Sequence, residues 1–429
     1  MGTAAPRWRA HRTRKEASMS QVPLRFVHAS DLRLDRPLGG VTEVPPSLRE
    51  AFLEAPYMAA EQVFETALAE SADAVLLSGN VVDLDQAGPR AAAFLTKHFQ
   101  RLADAGIEVF WAGGQVDPPD AWPASIRLPE TVHQFGVGRV ESYELTRGDK
   151  PIARIQGVSR SPGGGLDDSG FHRDANGLFT VGVAFGTAAS RGAEGDRVHY
   201  MALGGQHRRQ TVDQSPGIAH YAGTPQGRTP AEPEAHGCTV VSVDETGHVK
   251  TLFVATDVLR WVTETVEITA GCDEEALLRL IGQKADKLRE KHVGRDLLVT
   301  WKVVGRGELR NYLRPDGYGA ELLAQLRKQW SKQSPALWSV ALECHEPLQA
   351  PGEWYDEETI RGDLLRQLRE VEQDKAANLS LENFLPEDRR EGVYAELAEI
   401  PPHERKELLV GAAKLGMELI SCADDEDED

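Results

Sequence analysis

The chain has 429 residues, 41% of them hydrophobic, enough to bury a large core and to fill roughly two to three domains. Its 48 lysines and arginines stand against 67 aspartates and glutamates, a formal charge of -19, so the long-range field repels polyanions and nucleic-acid contact would need a local basic patch. Four scattered cysteines, Cys238, Cys272, Cys344 and Cys422, form no CxxC pair, and no apolar run approaches the length that spans a bilayer; a disulfide framework, a thiolate zinc site and membrane insertion are not expected.

Residues 1–22 form a basic extension with Arg7, Arg9, Arg12, Arg14 and Lys15, and no hydrophobic signal core follows. A cytoplasmic setting is therefore expected. A second methionine, Met19, stands just before the first strand, and a misplaced start codon is favoured over a basic arm that touches nucleic acid.

From Leu24 onward short aliphatic runs alternate with amphipathic stretches, the pattern of an α/β domain whose sheets are covered by helices. Strands are expected over Leu24–Ala29, Ala74–Ser78 and Ile107–Ala112, with helices over Leu48–Ala69 and Pro89–Ala105 between them. The second half of this domain is richer in strands: Ile152–Val158, Thr180–Phe185, His199–Leu203, Ala219–Ala222, Cys238–Val243 and Lys250–Ala255. Glycine-rich loops separate them, as a two-sheet sandwich flanked by helices requires. After Asp257 the order becomes strand, helix, strand, helix, strand to Leu342, a compact α/β unit. Helical patterns dominate from Glu357, with Leu364, Leu365, Leu368 and Val371 on one face and Leu408, Leu409, Ala412, Leu415 and Leu419 later. The expected organisation is a first domain over 23–256, an α/β capping domain over 257–346, a helical region over 347–421 and a solvated acidic tail over 422–429.

Five short stretches fall just past expected strands, where α/β sheets place their ligands. They are Asp31-Leu32-Arg33, Gly79-Asn80-Val81-Val82-Asp83, Gly114-Gln115-Val116-Asp117, Phe185-Gly186-Thr187 and Gly204-Gly205-Gln206-His207. Each alone is weak, but five in order are not easily dismissed. Together they resemble the motifs of the calcineurin-like metallophosphoesterases, and within them the SbcD-type exonucleases of DNA double-strand-break repair. Tyr221 to Arg228 followed by Gly237-Cys238 is similar to the segment after the last motif in SbcD-like proteins, so the resemblance covers about residues 24–345.

The resemblance implies a metallophosphoesterase sandwich with a two-metal centre, normally two Mn or Mg ions, that cleaves phosphodiesters. Such chemistry needs carboxylate, imidazole and carbonyl donors around both cations. Here the motifs keep their frame and lose their donors. Asp31 keeps its carboxylate, whereas Arg33 stands at a histidine ligand position and holds no lone pair. Asn80 replaces the bridging carboxylate, Gln115 the asparagine ligand, and Val116 the histidine that would serve the leaving oxygen. Gly186 and Gly205 replace two further histidines, leaving Asp31 and His207 as the remnant of the metal set. Two protein ligands fall short of a catalytic site, so no cofactor and no intact catalytic residue are expected.

Arg33 is expected to set a guanidinium against Asp31, and Arg33, Arg208 and Arg209 are the candidate phosphate contacts. Arg208, Arg209 and Arg228 otherwise read as surface charge. His28, His172, His199, His220 and His236 read as hydrogen-bonded structural residues, and Asp83 and Asp117 as acids that fix their loops.

The leading reading is a degenerate SbcD-like homologue, a pseudoenzyme acting as a binding or regulatory subunit. By resemblance its partner would be an SMC-type ATPase docked on the helical C-terminal region, with a homodimer as another use of those stripes. DNA is the family's substrate, though the net charge does not support it. The alternative is an active metal-dependent exonuclease or phosphodiesterase with an altered or single-metal site; a scaffold without nucleic acid is the plainest reading.

Overall fold

The computed structural model describes residues 21–41, 44, 46–167, 169–187, 197–214, 217–269, 271–305, 309, 313, 318–330, 333, 335–344, 352–374, 400, 405, 408–409, 411–413 and 415–416. The basic extension before Gln21, the acidic tail and much of the Glu404–Leu419 stripe lie outside the described residues. The chain divides into two compact units, the second built from Cys344 onward with the short pieces Glu267–Gly271 and Val303–Arg310.

In the first unit the chain forms β1 (Leu24–Ala29), β2 (Ala74–Ser78), β3 (Glu108–Ala112) and β4 (Val132–Phe135), interleaved with α1 (Pro46–Ala69), α2 (Leu84–Ala87) and α3 (Pro89–Asp104). There follow β5 (Glu141–Arg147), β6 (Lys150–Val158), β7 (Phe179–Phe185), β8 (Tyr200–Gly204), β9 (Gln210–Asp213) and β10 (Ile218–Tyr221). Last come β11 (Gly237–Val243) and β12 (Val249–Ala255). One sheet has the order β12-β11-β1-β2-β3-β4 and the other β5-β6-β7-β8-β10-β9.

The sheets form a sandwich because successive side chains of a strand face opposite ways. Val27, Val75, Val109 and Trp111 turn outward to Phe64, Leu95 and Phe99 of α1 and α3, while Phe26, Leu76 and Phe110 turn inward to Val181, Val183 and Tyr200. Strands covered on both faces carry near-continuous apolar runs, which is why β1, β2 and β3 were legible. Three strands had no expectation in the sequence: β4, β5 and β9. All are sheet edges, and their residues are mostly exposed or half-buried, so no apolar run marks them.

A three-stranded sheet, β13 (Leu259–Ile268), β14 (Asp296–Gly305) and β15 (Leu337–Cys344), carries α4 (Glu274–Lys291) and α5 (Tyr318–Trp330). Asp273 caps α4 by accepting from the Ala276 N–H at 2.8 Å. Leu259, Trp261 and Leu298 pack with Leu38, Phe52 and Ala55, and Trp261 Nε1 donates to the Gly227 carbonyl at 2.9 Å. In the second unit α6 (Gly352–Tyr355) precedes α7 (Ile360–Gln373), whose Thr359 caps the Gly362 N–H at 3.2 Å. Among the described residues no helix is long and apolar enough to cross a membrane.

Below the motif loops the sandwich holds a buried polar chain. His28 bridges Tyr200 Oη at 3.1 Å and Ser78 Oγ at 2.9 Å, and His220 bridges Thr211 Oγ1 at 2.8 Å and Thr239 Oγ1 at 2.9 Å. The two rings meet edge-on with centroids 5.9 Å apart, and burial holds both imidazoles below their usual value. Burial pushes His220 and the half-buried His199 down to about 4. Both are neutral in the fold at pH 7 and take up protons more readily once unfolded. The contribution of these two histidines to stability is therefore flat above pH 6.5 and falls as pH drops from 6.5 toward about 4. A urea-unfolding series across this range will show the fall, and His199→Gln will make it shallower.

Candidate functional site

The five loops converge at the carboxyl ends of β1, β2, β3, β7 and β8. Asp31, Arg33 and Asn80 all take positive φ, 53°, 46° and 55°, a region that costs an L-residue about 1 kcal/mol or more. Hydrogen bonds hold them there: the Asp31 N–H donates to the Gly79 carbonyl at 2.9 Å and the Arg33 N–H to that of Asn80 at 3.0 Å. Arg228 Nη2 donates to the carbonyls of Asp31 at 2.7 Å and Leu32 at 3.1 Å. Arg228 is thus buried, not the surface charge its type suggested, and burial pushes its guanidinium down to about 10.

Asp117 ties the loops after β2 and β3 together. Oδ1 accepts from the N–H groups of Asn80 at 2.9 Å and Gly114 at 2.7 Å, and Oδ2 from the Val81 N–H at 2.9 Å and Trp111 Nε1 at 2.8 Å. Burial pushes its carboxyl up to about 6 against the opposing pull of these four donors. Asp83 fixes its own loop by capping α2 through Asp85 and Gln86.

The carboxylate of Asp31 is fully buried, and both of its oxygens are hydrogen-bonded. Oδ1 accepts from Asn80 Nδ2 and Oδ2 from the Gly205 N–H, each at 2.9 Å. Asn80 Oδ1 in turn accepts from the Gln115 N–H at 2.8 Å, which fixes the amide orientation. An amide here can donate to the neighbouring carboxylate; an aspartate in its place would set two anions against each other.

Around this pair the space is taken by the ring of Phe185. A Cβ at Gly79 would lie 2.5 Å from Phe185 Cδ2, one at Gly114 3.0 Å from the same atom, and one at Gly205 3.0 Å from Cζ. Glycines of three motifs therefore crowd one phenyl ring. Gly205 has φ 96°, a conformation that a histidine rarely adopts.

The other expected residues are dispersed. Arg33 does not face Asp31: its guanidinium pairs with Asp35, Nη2 to Oδ2 at 2.7 Å and Nε to both oxygens at 3.2 Å. The correction has a simple cause, since the buried Asp35 carboxylate lies within reach of the same chain turn and Asp31 is already engaged by N–H donors. His207 is 46% exposed in its side chain and gives Nδ1 to Glu232 Oε1 at 2.5 Å. Although burial opposes it, the His207 contact together with the Arg228 N–H holds Glu232 down to about 2. Arg209 bonds Thr239 Oγ1 at 3.2 Å and covers the Phe253 ring, whereas Arg208 is exposed. Gln115 is exposed, Val116 half-buried, and Gly186 gives its N–H to the Gly204 carbonyl at 3.0 Å.

The structure thus joins Asp31, Asn80, Gly205 and the Gln115 backbone, and turns Arg33, His207 and Arg209 to other partners. Asp35 and Glu232 escaped the sequence reading, which named Phe185 only as the residue before Gly186. Phe185 alone carried a signal, a bulky aromatic next to a motif glycine.

Against known proteins, residues 261–345 match the family model for the middle domain of the metallophosphoesterase YhaO. An uncharacterized metallophosphoesterase, YhaO of Bacillus subtilis, is 27% identical over 338 residues, 75% of this chain and 81% of the relative. By these two matches the chain is similar to metallophosphoesterases of the YhaO kind. Among solved structures, a dimetal phosphatase from Danio rerio is 10% identical, covering 54% of this chain and 98% of that one with a TM-score of 0.34. An archaeal phosphodiesterase is 11% identical, covering 54% and 100%, with a TM-score of 0.26. Scores this low add nothing to the argument.

The site geometry makes two predictions. Asp117→Asn sets an amide NH2 against two of the four buried donors, and chemical denaturation will show a loss of about 3 kcal/mol or more. Asn80→Asp replaces a 2.9 Å hydrogen bond by a carboxylate pair, with an expected loss of about 2–4 kcal/mol at pH 7. That loss shrinks in acid, where one carboxyl of the pair is protonated, and denaturation at two pH values measures it.

Proposed function

We propose that this protein is a metallophosphoesterase-family member, a degenerate SbcD-like homologue that no longer builds the two-metal centre and works as a binding or regulatory subunit. The observation that carries this reading is the state of Asp31. Its two oxygens are engaged by Asn80 Nδ2 and the Gly205 N–H, so the anion that metal would neutralise is stabilised by donors built into the chain. The donor chemistry agrees: an arginine and two glycines stand at ligand positions, and His207 is held by Glu232. These residues do not fit a dinuclear centre.

As a binding subunit the protein would take its partner through the C-terminal helices. In α7, Leu364, Leu365 and Leu368 fall on one face; Leu365 is already buried within the chain, and the half-buried Leu364 and Leu368 are what a partner would meet. The resemblance makes an SMC-type ATPase the partner of choice, and DNA contact would then come through the complex.

Protein purified without chelator, analysed for bound metal and assayed with manganese on linear duplex and single-stranded DNA, decides the matter. The expected result is no cleavage above an Asp31→Ala control. Stoichiometric metal with cleavage lost in Asp31→Ala or His207→Ala would overturn the reading in favour of an active enzyme with a rebuilt site.

A further inference from the structure

On the helical face of the first sheet, away from the motif loops, α1 and α3 bring together Glu61, Glu65 and His98, whose ligand atoms all lie within 4.8 Å of one another. The spacing of Glu61 and Glu65 is one helical turn, so both carboxylates leave the same face of α1. His98 comes from α3 and is 1% exposed. Among the described residues its ring makes no hydrogen bond. Nδ1 is sealed from solvent without a partner, and Nε2 points at Glu61 Oε1 from 3.8 Å, too far for a hydrogen bond.

Such a ring is costly to bury. Each unmet polar atom costs about 1–3 kcal/mol; an ion held by Nε2, the nitrogen near Glu61, would give that atom a partner, while Nδ1 would stay an N–H without an acceptor. The ring is also fixed in place: Phe64 stacks on it with centroids 5.4 Å apart at 24°, and Phe94 lies at 4.4 Å. Burial holds His98 below the usual imidazole value, leaving the lone pair that coordination requires.

We propose that Glu61, Glu65 and His98 form a site for a divalent transition metal of the zinc class, clamping α1 to α3. One imidazole and two carboxylates with an open fourth position make an N/O donor set of the zinc type, whereas magnesium and calcium prefer oxygen alone. Bond lengths of about 2.0–2.2 Å require the three donors to close in by about 1 Å, which glutamate rotamers on a helix surface supply. The cation would also end the repulsion between two like charges one turn apart. Its competitor is Arg101, whose Nη1 holds Glu65 Oε1 at 2.5 Å. That guanidinium is 41% exposed, and an exposed pair of this kind gives way cheaply.

The test is a zinc titration of the full chain against a chromogenic chelator, repeated with Glu61→Gln/Glu65→Gln, surface changes that leave the buried ring in place. One equivalent is expected, weakened at least about tenfold in the glutamine variant, with affinity unchanged in Asp31→Asn/His207→Ala. Zinc should also raise the thermal midpoint of the wild type and not that of the glutamine variant. No zinc uptake by the wild type, uptake unaffected by the glutamine changes, or uptake that follows Asp31 and His207 would each overturn the assignment. The last result would count against the reading of the motif site as well; the first two leave that reading untouched.

Discussion

The arrangement of the motif loops hangs on one buried carboxylate. Asp117 takes four N–H donors from Trp111, Gly114, Asn80 and Val81, and so sets the mutual position of the loops after β2 and β3. Asn80 is thereby aimed at Asp31, and Arg228 grips the Asp31 backbone from the opposite side. Charge-assisted bonds of this kind are the strong ones, and their low-dielectric setting makes each donor expensive to abandon.

This network holds the motif loops together at the end of the sandwich. The loops take left-handed backbone conformations at Asp31, Arg33 and Asn80, and hydrogen bonds within the chain offset that strain. The segment from Thr224 to Arg228 extends the same logic to the three-stranded sheet. Gln226 bonds the backbone of Val258 and Leu259, while Gly227 receives the indole N–H of Trp261.

The sandwich was largely legible from the chain because its central strands are buried on both faces and therefore announce themselves as apolar runs. Edge strands such as Gln210–Asp213 were not, since solvent on one side removes the compositional signal. At the site, the convergence of the five loops could be read from their spacing past the strands. Partner choice could not. Whether Arg33 turns to Asp31 or to Asp35 depends on distances of a few ångströms between loops, and local sequence carries no such information. The burial of Arg228 was hidden for the same reason, because its acceptors are carbonyls almost two hundred positions away.

The ring of Phe185 couples three loops that are far apart in the chain. With its atoms lying against Gly79, Gly114 and Gly205, a histidine placed at position 205 alone would meet an occupied space and an unfavourable backbone, and an aspartate placed at position 80 alone would set a second anion beside Asp31. A change at any one of these positions is therefore tolerated only with compensating changes at the others, so the loops behave as a single unit of substitution.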